Sequence, residues 1–196
     1  TLLLTLAIAA SGCGGDGPSD VSLTGAGATF PYPLYSQWFD TFHRANGTRI
    51  NYQSIGSGGG IRQFTEGTVD FGATDGPMTD EQIAAVNGNV LHIPTVLGAV
   101  VLTYNLPQLG ETQLKLDGAT IAGIFSGQIT RWDDPRLAQL NAGASLPDRE
   151  IISVHRSDGS GTTYIFTDYL SKVSPEWQQQ FGVGTSITLL LTRAPS

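Results

Sequence analysis

Val21-Ser22-Leu23-Thr24-Gly25-Ala26-Gly27-Ala28-Thr29-Phe30 begins as an alternating, strand-like run and passes into glycines and a hydroxyl just ahead of a helical pattern. In that pattern Leu34, Trp38, Phe39, Phe42 and Ala45 recur at helical spacing, and Asn46-Gly47 stops it. The plan then repeats. Arg49 to Ile55 alternates, Gly56-Ser57-Gly58-Gly59-Gly60 follows, and Ile61 to Glu66 reads as a short helix ended by Gly67. Far downstream, a strand at Ile151 to His155 leads into Arg156-Ser157-Asp158-Gly159-Ser160-Gly161-Thr162 and an amphipathic helix from Thr162 to Lys172. Strand, glycine cluster and helix in repeated order predict an α/β fold with a mainly parallel sheet.

The three clusters also suggest a chemistry. A helix start presents unpaired N–H groups and a partial positive charge, and glycine lets the backbone come close to a ligand. The hydroxyls of Thr29, Ser57, Ser160 and Thr162 add donors. Three such starts are expected to surround one tetrahedral oxyanion. The formal net charge of −7 disfavours nucleic acid and anionic lipid as long-range partners. An acidic chain must therefore bind an anion through contact-range amides, hydroxyls and a few placed arginines.

Between the clusters, Val69 to Ala73 is a brief strand that delivers Thr74-Asp75-Gly76-Pro77 to a turn, and Thr79-Asp80-Glu81-Gln82 has capping-box spacing. Val90 to Pro94 and Val96 to Tyr104 are β-branched runs without polar alternation, expected as strands buried on both faces and crossing between two lobes. Helices are expected near Gly118 to Phe125 and Asp133 to Leu140. The expected division is residues 21–96 for the N-terminal part of lobe 1 and 97–196 for lobe 2. With 196 residues, 40% of them hydrophobic, there is enough apolar content for that core.

Ahead of this domain, residues 1–13 (TLLLTLAIAASGC) are an uncharged apolar run ending in small residues and the single cysteine, Cys13. The pattern resembles the end of a bacterial lipoprotein signal, with Cys13 as the lipidated residue and 14–20 as a flexible tether. A hydrophobic element with a buried free cysteine is the alternative. Since the first residue is Thr1 and the one methionine is Met78, part of the leader is expected to be missing. Export, with a lipid anchor at the cell surface or in the periplasm, is the expectation.

Two charged groups sharpen the anion reading. Arg156 can set a planar, bidentate donor on two ligand oxygens, with Asp158 orienting its guanidinium. Asp75 should repel an anion, so it makes sense in the site only as acceptor for a protonated ligand such as hydrogen phosphate. The plainer readings are a surface ion pair for Arg156 and a turn cap for Asp75. The Gly-x-Gly of the first cluster lacks the third glycine of a dinucleotide fingerprint, and no cluster carries the lysine of a nucleotide-phosphate loop. A serine-dependent phosphatase or esterase built on Ser160 would need a base, and His43, His92 and His155 are the candidates; the spacing around Ser160 is not that of a nucleophile elbow. The dispersed histidines lack metal-ligand spacing, and neither metal nor cofactor is expected.

Leu23 to Pro31, Ile55 to Gly60, Val69 to Asp75 and Arg156 to Thr162 together resemble the periplasmic phosphate-binding proteins of bacterial phosphate ABC importers. Ile129-Thr130-Arg131-Trp132-Asp133-Asp134 and Phe166-Thr167-Asp168-Tyr169-Leu170 extend the likeness over about Leu23 to Gly184. The resemblance implies a type 2 periplasmic-binding-protein fold of two lobes closing on phosphate. It assigns phosphate contacts to Thr29, Phe30 through its backbone, Ser57, Asp75 as acceptor, Arg156, Ser160, Gly161 and Thr162, with Asp158 behind Arg156. It implies no enzymatic step, and as partners inorganic phosphate with the permease and ATPase subunits of the importer. In that family the chain runs on to complete the second lobe and return to the first, whereas the last dozen residues here lose the pattern. A C-terminally truncated chain is therefore expected, and a truncated surface lipoprotein without ligand is the third reading.

Overall fold

The computed structural model describes residues 21–187. The expected leader remnant, Cys13 and the tether lie outside the described residues, as does the run 188–196.

Three parallel strands form the sheet in the order β2-β1-β3: β1 Ser22–Gly27, β2 Arg49–Ser54 and β3 Phe71–Ala73. Helix α1, Tyr32–Asn46, connects β1 to β2, and α2, Ser57–Thr65, connects β2 to β3. Parallel neighbours require such crossovers, and the alternation of the sequence supplied them. Helix α1 ends as expected, with Gly47 in the left-handed region and its N–H donating to the His43 carbonyl at 2.8 Å. An aromatic cluster fills the face below α1: Tyr35 meets Tyr52 edge-on at 5.4 Å, and Tyr52 stacks on Phe71 at 6.1 Å.

Helix α2 begins four residues earlier than the sequence suggests, because glycine is a poor helix former and Ser57-Gly58-Gly59-Gly60 reads as a loop. The packing overrides that. A Cβ on Gly60 would lie 2.7 Å from the Ala26 carbonyl oxygen and 2.9 Å from that of Ala73, so only glycine lets the helix rest on the ends of β1 and β3.

Beyond the sheet come α3, Asp80–Ala84, and a 3₁₀ turn at Pro107–Leu109. The remainder is helical: α4, Gly118–Phe125, α5, Pro135–Leu140, α6, Gly161–Val173, and α7, Pro175–Gln180. Their starts follow side-chain capping rules. Thr79 with Gln82, and Asp117 with Thr120, form capping boxes, while Ser160 and Ser174 accept from the N–H groups of Thr163 and Trp177. Ile121, Ala122, Leu170 and Trp177 make one core of these helices, and Ile124, Ile129 and Leu137 a second beside it.

The expected strands at Val90 to Pro94, Val96 to Tyr104 and Ile151 to His155 are not formed, and they are not buried. Leu97 is 99% exposed and Val154 85%. Residues 90–104 are held by isolated contacts instead: His92 Nε2 accepts from the Met78 N–H at 3.2 Å, and Thr95 Oγ1 pairs with the Tyr35 hydroxyl at 2.7 Å. A β-branched run becomes a strand only where a neighbour takes up its N–H and C=O groups, and among the described residues none lies alongside. The ladder of 151–155 is reduced to one bridge, Arg131 with Glu150, continued by the Ile151 N–H on the Thr130 carbonyl.

Candidate functional site

The strand register sets the site. Gly27 of β1 is paired with Ser54 of β2 and with Ala73 of β3, so the three strands end level with one another. The chain emerging from each end carries one candidate residue: Thr29 after β1, Ser57 at the start of α2, and Asp75 after β3. The carboxyl edge of a parallel sheet is where α/β folds gather ligands, because side chains and helix starts converge there. The Ala28 N–H donates to the Ala73 carbonyl at 2.8 Å, and the Asp75 N–H approaches Ser57 Oγ at 3.3 Å.

The third cluster reaches this edge from the helical half. Gly58 N–H donates to the Gly159 carbonyl at 2.8 Å, joining the second cluster to the third. Arg156 Nη1 donates to Thr29 Oγ1 at 3.2 Å across a separation of 127 residues, and Thr162 Oγ1 donates to Asp75 Oδ2 at 3.4 Å. Gly161, the first residue of α6, is buried so tightly that a Cβ there would overlap Ser57 Oγ and lie 2.6 Å from Asp75 Cβ. Thr29, Ser57, Asp75, Arg156, Ser160, Gly161 and Thr162 are thus brought together from four segments. Phe30 adjoins Thr29, and its half-exposed ring packs over Gly98.

Electrostatics refine each role. Asp158 takes both Arg156 Nε at 2.7 Å and Nη2 at 2.5 Å, a bidentate pair that turns the remaining guanidinium edge toward Thr29. The hydrogen bonds that Arg156 donates hold the Asp158 carboxyl below its usual range, and the same bonds, accepted by Asp158, raise Arg156. Asp75 is moved the other way. Burial raises it above the ordinary aspartate value, against the opposing pulls of the Thr162 hydroxyl and the Arg156 charge. Asp158 offsets the charge of Arg156, so the groups left uncompensated at this edge are mainly neutral donors. Those donors are available at α6: its first-turn amides at Gly161 and Thr162 have no partner within the helix, whereas the Thr163 N–H goes to Ser160 Oγ at 3.3 Å. Ser160 Oγ accepts that bond as the cap of α6.

Among the described residues, no histidine activates Ser160. His43 Nδ1 lies against the Gly47 and Thr48 carbonyls, His92 takes the Met78 amide, and His155 Nδ1 lies 2.8 Å from the Arg156 carbonyl. Ser160 is buried as a helix cap.

Sequence reading missed two features. Tyr52 donates its hydroxyl to the Ala28 carbonyl at 2.7 Å, beside the first cluster. The alternation of Arg49 to Ile55 marks a strand there but names no acceptor for the phenol. The glycine-to-glycine contact of Gly58 with Gly159 joins positions 101 residues apart by number, and no local pattern announces it.

Comparison with known proteins bears on the family. Residues 14–188 match the model of the PBP superfamily domain. The chain is 51% identical over 166 residues to the phosphate-binding protein PstS of Pasteurella multocida, covering 85% of this chain and 48% of that protein. It is 38% identical over 200 residues to the phosphate-binding protein PstS of Methanocaldococcus jannaschii, covering 94% and 51%. The chain therefore spans about half the length of these relatives. A solved structure of a putative phosphate ABC transporter substrate-binding protein with bound phosphate, from Clostridium perfringens, shares the fold with a TM-score of 0.56 at 22% identity, covering 76% of this chain and 56% of that one. With the parallel sheet, the level strand ends and a family match over most of its length, this α/β chain belongs to the PBP superfamily.

Proposed function

We propose that this chain binds hydrogen phosphate at the carboxyl edge of its sheet and serves as the substrate-binding component of a phosphate ABC importer, handing its ligand to the permease and ATPase subunits. The observation that carries the reading is the convergence of Thr29, Ser57, Asp75, Arg156, Ser160, Gly161 and Thr162 from four distant segments. The names of the relatives, phosphate-binding proteins at up to 51% identity, point the same way.

Thr29, Ser57, Ser160 and Thr162 donate through hydroxyls, and Phe30, Gly161 and Thr162 through amides. Arg156 adds one charged donor held by Asp158. Asp75 accepts the proton that hydrogen phosphate carries near neutral pH and sulfate does not. Residues 21–96 and the described part of 97–196 supply the two sides of the cleft, and no bond is made or broken in the ligand. The protein is exported and tethered through a lipid on Cys13. Mass analysis of the exported N-terminus tests the anchor: a mature chain without lipid on Cys13 refutes it.

Isothermal calorimetry of the full chain with phosphate tests the central reading. The expected result is saturable binding of one phosphate per chain, with sulfate much weaker. A folded chain that takes up no phosphate refutes it. Turnover of a chromogenic phosphate ester that Ser160→Ala abolishes would instead establish an esterase.

A further inference from the structure

The three strand ends differ in what holds them. Ser57 and Ser160 sit at helix starts, and Asp75 is gripped by Thr162 and Ser57. Thr29 stands two positions before Pro31, the residue that opens α1, and Pro31 makes no side-chain capping bond. Its orientation is set from behind.

We propose that Tyr52 is a positioning residue for this strand end: its hydroxyl holds the Ala28 carbonyl and thereby aims and polarises the Thr29 N–H of the same peptide. The proposal rests on the reading of the cleft as an anion site. A trans peptide is planar, and its C=O and N–H point in opposite directions, so a donor fixed on the oxygen of Ala28 fixes the direction of the Thr29 N–H. A hydrogen bond at one end of a peptide also strengthens the donor at the other. The bond is short, 2.7 Å.

The preceding peptide, Gly27–Ala28, is pinned at both ends. The Gly27 carbonyl accepts from Ile55 N–H at 3.1 Å and the Ala28 N–H donates to Ala73 at 2.8 Å, which leaves the Ala28 carbonyl as the group that decides the tilt of the next peptide. Tyr52 is itself immobilised, stacked on Phe71 and Tyr32 and met edge-on by Tyr35. Phe39 and Phe71 serve the same cluster with no hydroxyl, so packing alone did not require a tyrosine at this position. Burial, and next the neighbouring Tyr35 and Asp75, push the phenol upward, which keeps it a proton donor through the neutral range.

The test uses the uniformly ¹⁵N-labelled full chain, its Tyr52→Phe variant, and a chain carrying fluorinated tyrosine at position 52. The amide ¹⁵N shift reports hydrogen bonding at the preceding carbonyl. In free protein, Tyr52→Phe should move the Thr29 resonance upfield more than the Gly161 or Thr162 resonances, and fluorination, which strengthens the donor, should move it the other way. Phosphate affinity should fall roughly three- to tenfold in Tyr52→Phe, the worth of one hydrogen bond. An unmoved Thr29 resonance in both altered chains overturns the proposal, as does unchanged phosphate affinity with a moved one. Failure of the unaltered chain to bind phosphate counts against the anion reading alone, and the Thr29 shift in free protein then decides the positioning role. Should Tyr52→Phe not fold, the fluorinated chain decides it by the same shift.

Discussion

Asp75→Asn separates charge from shape at the point where the site chooses its ligand. The side chain emerges from the end of β3, half-buried, with one oxygen 3.4 Å from the Thr162 hydroxyl. A sulfate in the cleft would set an unprotonated oxygen against this carboxylate. Two full charges about 3 Å apart repel by roughly 5 kcal/mol at an effective dielectric near 20, and with about half a charge on a sulfate oxygen the penalty is about 2–3 kcal/mol. That is on the order of a hundredfold in affinity. Asparagine removes the charge and can turn its amide N–H toward sulfate or its carbonyl toward the phosphate proton. Calorimetric titration of both proteins at pH 7.5 should therefore show sulfate affinity rising on the order of a hundredfold in Asp75→Asn, and phosphate changing by less than about tenfold.

Acid should mimic the substitution. Since burial raises the Asp75 carboxyl, it takes up its proton at a higher pH than an ordinary aspartate, and the protonated form offers sulfate a donor. Sulfate binding should thus strengthen as pH falls through that raised value. The same shift has a stability sign: the contribution of this group is fully present below the ordinary aspartate pKa and is lost as pH rises through the raised one, so Asp75→Asn should stabilise free protein at neutral pH. If sulfate stays as weak in Asp75→Asn as in the parent protein, the acceptor role of Asp75 is wrong.

Three further perturbations probe separate parts of the argument. Arg156→Lys cannot reproduce the two bonds to Asp158 together with the one to Thr29, and phosphate affinity should drop about ten- to hundredfold in calorimetry without loss of helical circular dichroism. Gly161→Ala forces a methyl against Ser57 and Asp75; a stability loss of about 1–3 kcal/mol in urea titration, with phosphate affinity lowered more than tenfold, is the expected outcome. Trp177, 1% exposed and packed on Phe181 at 4.5 Å, should cost about 3–5 kcal/mol when replaced by alanine, read by the same urea titration.

What could be read from residues alone was whatever neighbours in sequence decide. The Thr79 capping box, the Gly47 stop and the span of α4 all depend on groups within four residues of one another, and they stand where the pattern placed them. The start of α2 was misread because Gly58 to Gly60 disfavours a helix locally and is helical for a non-local reason, the closeness of β1. Helix α7 passed unnoticed although Ser174-Pro175 is a helix-opening pair, since six residues show little periodicity. The expectation of strands at 90–104 and 151–155 took β-branched composition for pairing. Composition says what suits a pleated surface, while a strand also needs an adjacent backbone, and no residue in either run encodes whether one is there. For the candidate site, residue types were legible one cluster at a time, but their meeting depends on the common level of Gly27, Ser54 and Ala73.

That common level also bears on how a chain with a net charge of −7 would hold the proposed anion. A cleft lined with unpaired lysines would draw phosphate from a distance, and would draw sulfate equally, since long-range attraction responds to charge alone. Here the one arginine at the site is bonded to Asp158, and a second carboxylate, Asp75, faces the ligand position. Attraction must then come from amides and hydroxyls acting at contact distance, where the direction of each donor matters more than the sum of charges. Three strands ending at one level put those donors on one edge, and Gly60 and Gly161 let backbone and helix start close over it without side chains in the way. Such a site has little to lose to added salt and much to lose to a misdirected peptide, which is why Ala28, held by Tyr52 and Ala73, matters as much as the residues that would touch the ligand.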